Sequence, residues 1–126
     1  MKKPFSILLI DDSEIDNILN EMIIKNSCLQ DSTIRILSSI PALQLLGNEN
    51  TTTDHIPDII FLDIKMPIND GFEFLEKFEK LPEELTKKTQ IIILTSSLDE
   101  EETERIKKNR FVKMILSKPL SLEALE

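Results

Sequence analysis

Hydrophobic and polar positions follow two rhythms along this chain. FSILLI (5–10), DIIFLD (58–63) and IIILTSS (91–97) are short, nearly unbroken apolar runs, as strands buried on both faces are, and VKMILSKPL (112–120) reads as the last strand. STIRIL (32–37) alternates more, as an edge or half-exposed strand does. Between the runs the spacing becomes helical. In SEIDNILNEMIIKNSC (13–28), Ile15, Ile18, Leu19, Met22 and Ile23 fall on one face. Ser13 fits its N-cap, and Asp12 could also serve. Pro41 suits a first helical turn ahead of Ala42, Leu43 and Leu46. GNENTTTDHIP (47–57) reads as a polar loop, and PEELTKKTQ (82–90) as a polar connector. DGFEFLEKFEKL (70–81) places Phe74, Leu75, Phe78 and Leu81 at helical spacing. LDEEETERIKKNR (98–110) is a weakly amphipathic helix, acidic early and basic late, as the helix dipole favours. SLEALE (121–126) begins a last helix.

Strand and helix thus alternate, the pattern of a parallel sheet with helices on each side. One three-layer α/β domain over residues 1–126 accounts for the chain, whose 126 residues and 40% hydrophobic content suit a single core. The formal net charge of −8, from 23 acidic and 15 basic residues, argues against direct binding to nucleic acid or to an anionic membrane surface. Cys28, the only cysteine, cannot form an internal disulfide. It reads as a small buried residue near a helix end, and a reducing cytoplasm is the expected compartment. The first apolar run is too short for a signal peptide and ends in two aspartates. No segment is long enough to span a bilayer. His55 lies in the polar loop and reads as solvated.

Open α/β sheets bind ligands beyond the carboxyl ends of their strands. Here those ends carry Asp11 and Asp12, Asp63, Thr95 with Ser96 and Ser97, and Lys118 before Pro119. Each has a bland reading alone: a helix cap, a turn former, a strand end, a solvated lysine. Together they occupy the ends of the four strands expected to flank one site. Three converging carboxylates repel one another unless a cation lies between them. Mg²⁺ suits such oxygen ligands and is often shared with a phosphate. Lysine and hydroxyl add positive charge and a donor, so the set fits a phosphoryl group, with a carboxylate as nucleophile.

The segments ILLIDDSE (7–14), FLDIKMPINDGFEF (61–74), IILTSS (92–97) and LSKPL (116–120) resemble, in order and spacing, the receiver domain of a chemotaxis-type response regulator of two-component signalling. The most specific element is D-x-x-M-P-x-x-D-G at 63–71. The resemblance covers essentially the whole chain. It implies a flavodoxin-like, doubly wound fold, with a five-stranded parallel sheet in the order 2-1-3-4-5, whose final helix SLEALE leaves short. It implies that Asp63 is the phosphoacceptor, with a sensor histidine kinase or a histidine phosphotransfer protein as donor. It implies Mg²⁺ bound by Asp11, Asp12, Asp63 and the backbone carbonyl of Lys65. Thr95 would be the switch hydroxyl. Lys118 would pair with a phosphoryl oxygen, preceding a cis peptide to Pro119. Gly71 fits a tight strand-to-helix turn where a side chain would crowd the backbone. Such a protein is a signalling phosphoacceptor, not an enzyme acting on others.

The chain departs from the family at several points. Ile115 stands where relatives carry Tyr or Phe, so the surface signal is expected from the loop after the fourth strand and its helix. Asn69 replaces a common methionine. Lys65 and Ser97 hold positions that influence phosphoryl lifetime. With SLEALE so short, Leu120, Leu122 and Leu125 would leave an apolar edge beside Ile115, suited to a weak homodimer. Two other functions compete. A non-phosphorylated receiver would serve purely as a protein-binding module. A haloacid dehalogenase-like phosphatase would need an acid two residues after its nucleophile, and Lys65 is there instead. A dinucleotide-binding fold fails for want of glycines, of which the chain has two.

Overall fold

The computed structural model describes residues 6–11, 13–27, 33–37, 44, 46, 57–64, 71–95, 99–118 and 120. Five strands form one sheet: β1 (Ser6–Ile10), β2 (Thr33–Leu37), β3 (Ile59–Leu62), β4 (Gln90–Thr95) and β5 (Val112–Ser117). All pair in parallel, in the order β2-β1-β3-β4-β5. The doubly wound sheet and its strand order are those expected, with the alternating second strand at an edge.

The apolar runs divide by parity, because successive strand residues face opposite sides. Leu8, Ile10, Ile60, Leu62, Ile91 and Ile93 face one way. Over them pack Phe74, Leu75 and Phe78 of helix α2 (Gly71–Glu79), with Ile106 of helix α4 (Glu100–Lys107) and Leu46. Ile7, Leu9, Ile59, Phe61, Ile92 and Leu94 form a second core on the opposite face, closed by Ile24 of helix α1 (Glu14–Lys25) and by Leu120. Continuous apolar strands are therefore required at the centre, where both faces are covered.

Three local expectations change. The 82–90 connector contains one helical turn, α3 (Glu83–Thr86). Pro82 starts it with φ preset at −55°, and its carbonyl accepts from Thr86 N–H. The helix expected over 98–110 is confined to α4, because Asp99 and Glu102 close a capping box at its start.

The largest correction concerns α1. Ile15, Ile18, Leu19 and Met22 do form a stripe, but it faces solvent, with Ile15 71% exposed. Asn17, Asn20 and Ile24 point inward instead. The roll of the helix is set by polar links at its first turn. Ser13 Oγ accepts from Asp16 N–H (3.3 Å), as the expected N-cap, and Asn17 Nδ2 donates to the Asp11 carbonyl (3.1 Å). Positions 17, 20 and 24 follow inward from that anchor at helical spacing.

β5 is the other edge, half-exposed, with Lys113 and Met114 at the surface. Its pairing slips by one residue: Ile91 faces Val112, but Ile92 faces Met114. Lys113 is thus a β-bulge. Cys28, His55 and the last six residues, with their expected helix, lie outside the described residues. Of the expected apolar edge, Leu120 is instead buried in the second core, and Ile115 packs half-buried against the first.

Candidate functional site

The sheet register assembles the site. Ile10 pairs with Leu62, so the next residues, Asp11 and Asp63, leave adjacent strand tips side by side. Asp63 N–H continues the ladder onto the Ile10 carbonyl at 3.0 Å. Two strands away, Thr95 pairs with Ser117, and Lys118 N–H donates to the Thr95 carbonyl at 2.8 Å. Thr95 is buried at the tip of β4. From the end of β5 the Lys118 side chain reaches back across the tips. Its Nζ lies 2.7 Å from Asp11 Oδ2, 2.8 Å from Asp16 Oδ2 and 3.3 Å from Asp63 Oδ2.

The ammonium is largely enclosed, its side chain 12% exposed, between Asp11 at 5% and Asp63 at 7%. Burial alone would lower its pKa, but hydrogen bonds to Asp11 and Asp16 and the charges of Asp11 and Asp63 outweigh that. Lys118 is therefore held well above its ordinary value of 10.5. The second oxygen of Asp11 is also engaged, since Oδ1 accepts from Ser13 N–H at 2.9 Å. Asn17 holds the Asp11 carbonyl, so the β1–α1 turn is braced from both sides.

Of the residues singled out in the sequence, Asp11, Asp63, Thr95 and Lys118 meet at this edge, while Asp12, Lys65, Ser97 and Pro119 lie outside the described residues. Asp16 went unrecognised. In the sequence it is one acidic residue in a helical first turn, where any carboxylate is favourable. Its one signal was position, a helical turn after the Asp11–Asp12 pair.

Among the described residues, no group of three or more His, Cys, Asp or Glu side chains is arranged to hold a metal ion. Asp11 and Asp63 nevertheless converge on one positive charge, that of Lys118. Their donor chemistry, two buried carboxylates sharing a cation, fits a hard divalent ion. Gly71 carries the tight approach expected of it. A Cβ there would lie 2.7 Å from Ile64 Cα and 2.9 Å from the Asp63 carbonyl oxygen, closer than atoms can pack. Its N–H donates to the Ile64 carbonyl at 3.0 Å, tying the start of α2 to the strand tip.

Comparison with known proteins agrees with this geometry. The sequence profile of the response regulator receiver domain matches residues 7–126. Response regulator Rcp1 of Synechocystis is 28% identical over 100 residues, covering 79% of this chain and 67% of Rcp1. The structure of its Mn²⁺-bound form superposes with a TM-score of 0.75, at 27% identity, covering 97% of this chain and 86% of that one. The polar-differentiation response regulator DivK of Brucella ovis is 31% identical over 117 residues, covering 93% of this chain and 86% of DivK. A two-component response regulator from Cytophaga hutchinsonii superposes with a TM-score of 0.80 at 30% identity, covering 98% and 92% of the two chains. Other relatives, sensor kinases and methylesterases among them, are far longer, and the chain spans 7% to 25% of their length.

Proposed function

Because the chain belongs to the response regulator receiver family of two-component signalling, we propose that it accepts a phosphoryl group on Asp63 and answers by altering a protein-binding surface. The convergence of Asp11, Asp63 and Lys118 at the strand tips carries this reading. An apolar strand with no freedom to shift ends in a carboxylate, which makes Asp63 a positioned nucleophile. One of its oxygens attacks the phosphorus of a phosphohistidine on a sensor histidine kinase or a histidine phosphotransfer protein. The O–P bond forms as the N–P bond breaks, and the electron pair returns to the donor imidazole. Asp63 becomes an acyl phosphate, a labile species suited to a reversible signal.

Lys118 follows the charge from the carboxylate to a phosphoryl oxygen, and the Thr95 hydroxyl donates to another. Asp11, Asp12, Asp63 and the Lys65 carbonyl would hold Mg²⁺, which when bound neutralises phosphoryl oxygens. The Mn²⁺-bound form of the relative Rcp1 supports a divalent cation here. The exposed stripe of α1 begins at Ile15, next to Asp16, and clustered exposed apolar residues mark interaction surfaces. We read it as the docking surface for the phosphodonor. An acidic chain of net charge −8 gives no purchase to nucleic acid, so the output is a protein contact, in the cytoplasm.

The test is intact mass after incubation with Mg²⁺ and acetyl phosphate. Wild type should gain one phosphoryl group, and Asp63→Asn or added EDTA should abolish the gain. If neither acetyl phosphate nor a phosphorylated histidine phosphotransfer protein labels wild type, and Mg²⁺ does not bind, the non-phosphorylated binding module is the better reading.

A further inference from the structure

The ammonium of Lys118 has a third partner that the phosphoacceptor chemistry does not require. Asp16 Oδ2 lies 2.8 Å from Nζ, within 0.1 Å of the Asp11 distance and closer than Asp63. Its setting differs from theirs. Asp11 and Asp63 are buried at strand tips, whereas the Asp16 side chain is 35% exposed and stands on α1, outside the sheet edge. Its helix is held in place from two sides, by the Ser13 cap and by Asn17 on the Asp11 carbonyl.

A divalent cation on Asp11 and Asp63 would claim the oxygens that Lys118 now holds. An ammonium with a 12% exposed side chain would then face a dication across a shared carboxylate with little water to screen it. Unless another acceptor is in reach, that repulsion opposes metal entry. Asp16 is in reach without any rearrangement of the backbone.

We propose that Asp16 is a positioning residue that keeps Lys118 anchored at the edge of the site while a divalent cation takes over the carboxylates of Asp11 and Asp63. It makes the cation and the lysine compatible neighbours, so that both are present when a phosphoryl group arrives. This role rests on the phosphoacceptor reading of the site. Asp16 acts through Lys118 and touches neither metal nor phosphoryl group.

The test is a calorimetric titration with Mg²⁺ alone, since the chain has no Trp or Tyr to report binding by fluorescence. Asp16→Asn should weaken Mg²⁺ roughly ten-fold, as loss of a group supporting a metal site does. In a Lys118→Met background the same substitution should change affinity less than about two-fold, because the lysine it serves is gone. If Lys118→Met does not fold without metal, Lys118→Gln takes its place. Equal weakening in both backgrounds would mean that Asp16 acts only through its own charge, and would overturn the proposal. So would an unchanged affinity in Asp16→Asn. Either result leaves the phosphoacceptor reading standing, whereas wild type that binds no Mg²⁺ sinks both.

Discussion

Lys118 shows how opposing effects are decided at a single residue. Enclosure disfavours its charge, and two short charge-assisted hydrogen bonds with a nearby third carboxylate more than compensate. Removing it leaves buried carboxylates facing one another without a cation. Lys118→Met should therefore cost about 3 kcal/mol in chemical denaturation at neutral pH, and Mg²⁺ should restore part of it. The pH dependence has a definite sign. The folded pKa is raised, so the stabilisation is complete below the unfolded value of 10.5 and disappears as pH rises through the higher folded value. The gap between wild type and Lys118→Met should hold constant from neutrality to about pH 10 and then shrink. A gap already closing between about pH 7 and 9 would contradict the assignment. The lysine was legible in the sequence because it ends a strand. Asp16 was not, because its role depends on a side chain arriving from the far edge of the sheet, 102 residues later.

At the scale of elements, α1 and α2 are instructive opposites. In α2 the apolar positions Phe74, Leu75 and Phe78 are also the buried ones. In α1 only Ile24 is so, and Ile15, Ile18, Leu19 and Met22 face solvent, because periodicity reveals that a stripe exists but says nothing of which way it points. Direction came from Ser13, Asp16 and Asn17, whose backbone N–H (Ser13) and side chains (Asp16, Asn17) find partners at the strand tips. The consequence is testable. Ile18 is exposed, so Ile18→Ser should shift unfolding free energy by no more than about 0.5 kcal/mol. If the stripe receives the phosphodonor, the same change should slow transfer from a phosphorylated donor protein while leaving labelling by acetyl phosphate intact. Equal rates from the protein donor would show that the stripe serves something else. The short α3 was missed for another reason. One turn offers no periodicity to read, and its stability comes from Pro82 and the buried Thr86.

For the whole molecule, the strands announced themselves because a sheet covered on both faces demands apolar residues at every position, and few segments outside such a sheet meet that demand. Strand order followed from the family resemblance, and the paired cores on either face follow from strand parity. The edge was harder to read. β5 mixes exposed and half-buried residues, so nothing in its composition marks Lys113 as the one supernumerary position. That bulge gives the fold a place where chain length is negotiable. Downstream of it, the pairings from Ile92 with Met114 to Thr95 with Ser117 hold Lys118 at the site, while upstream only Ile91 with Val112 is involved. Excising Lys113 should therefore be absorbed at the cold end of the strand, with folding and phosphoryl acceptance retained. Excising Leu116 should shift the ladder by one residue and cost both, as a melting curve and intact mass would show. A strand built this way can gain or lose a residue without its working end registering the change.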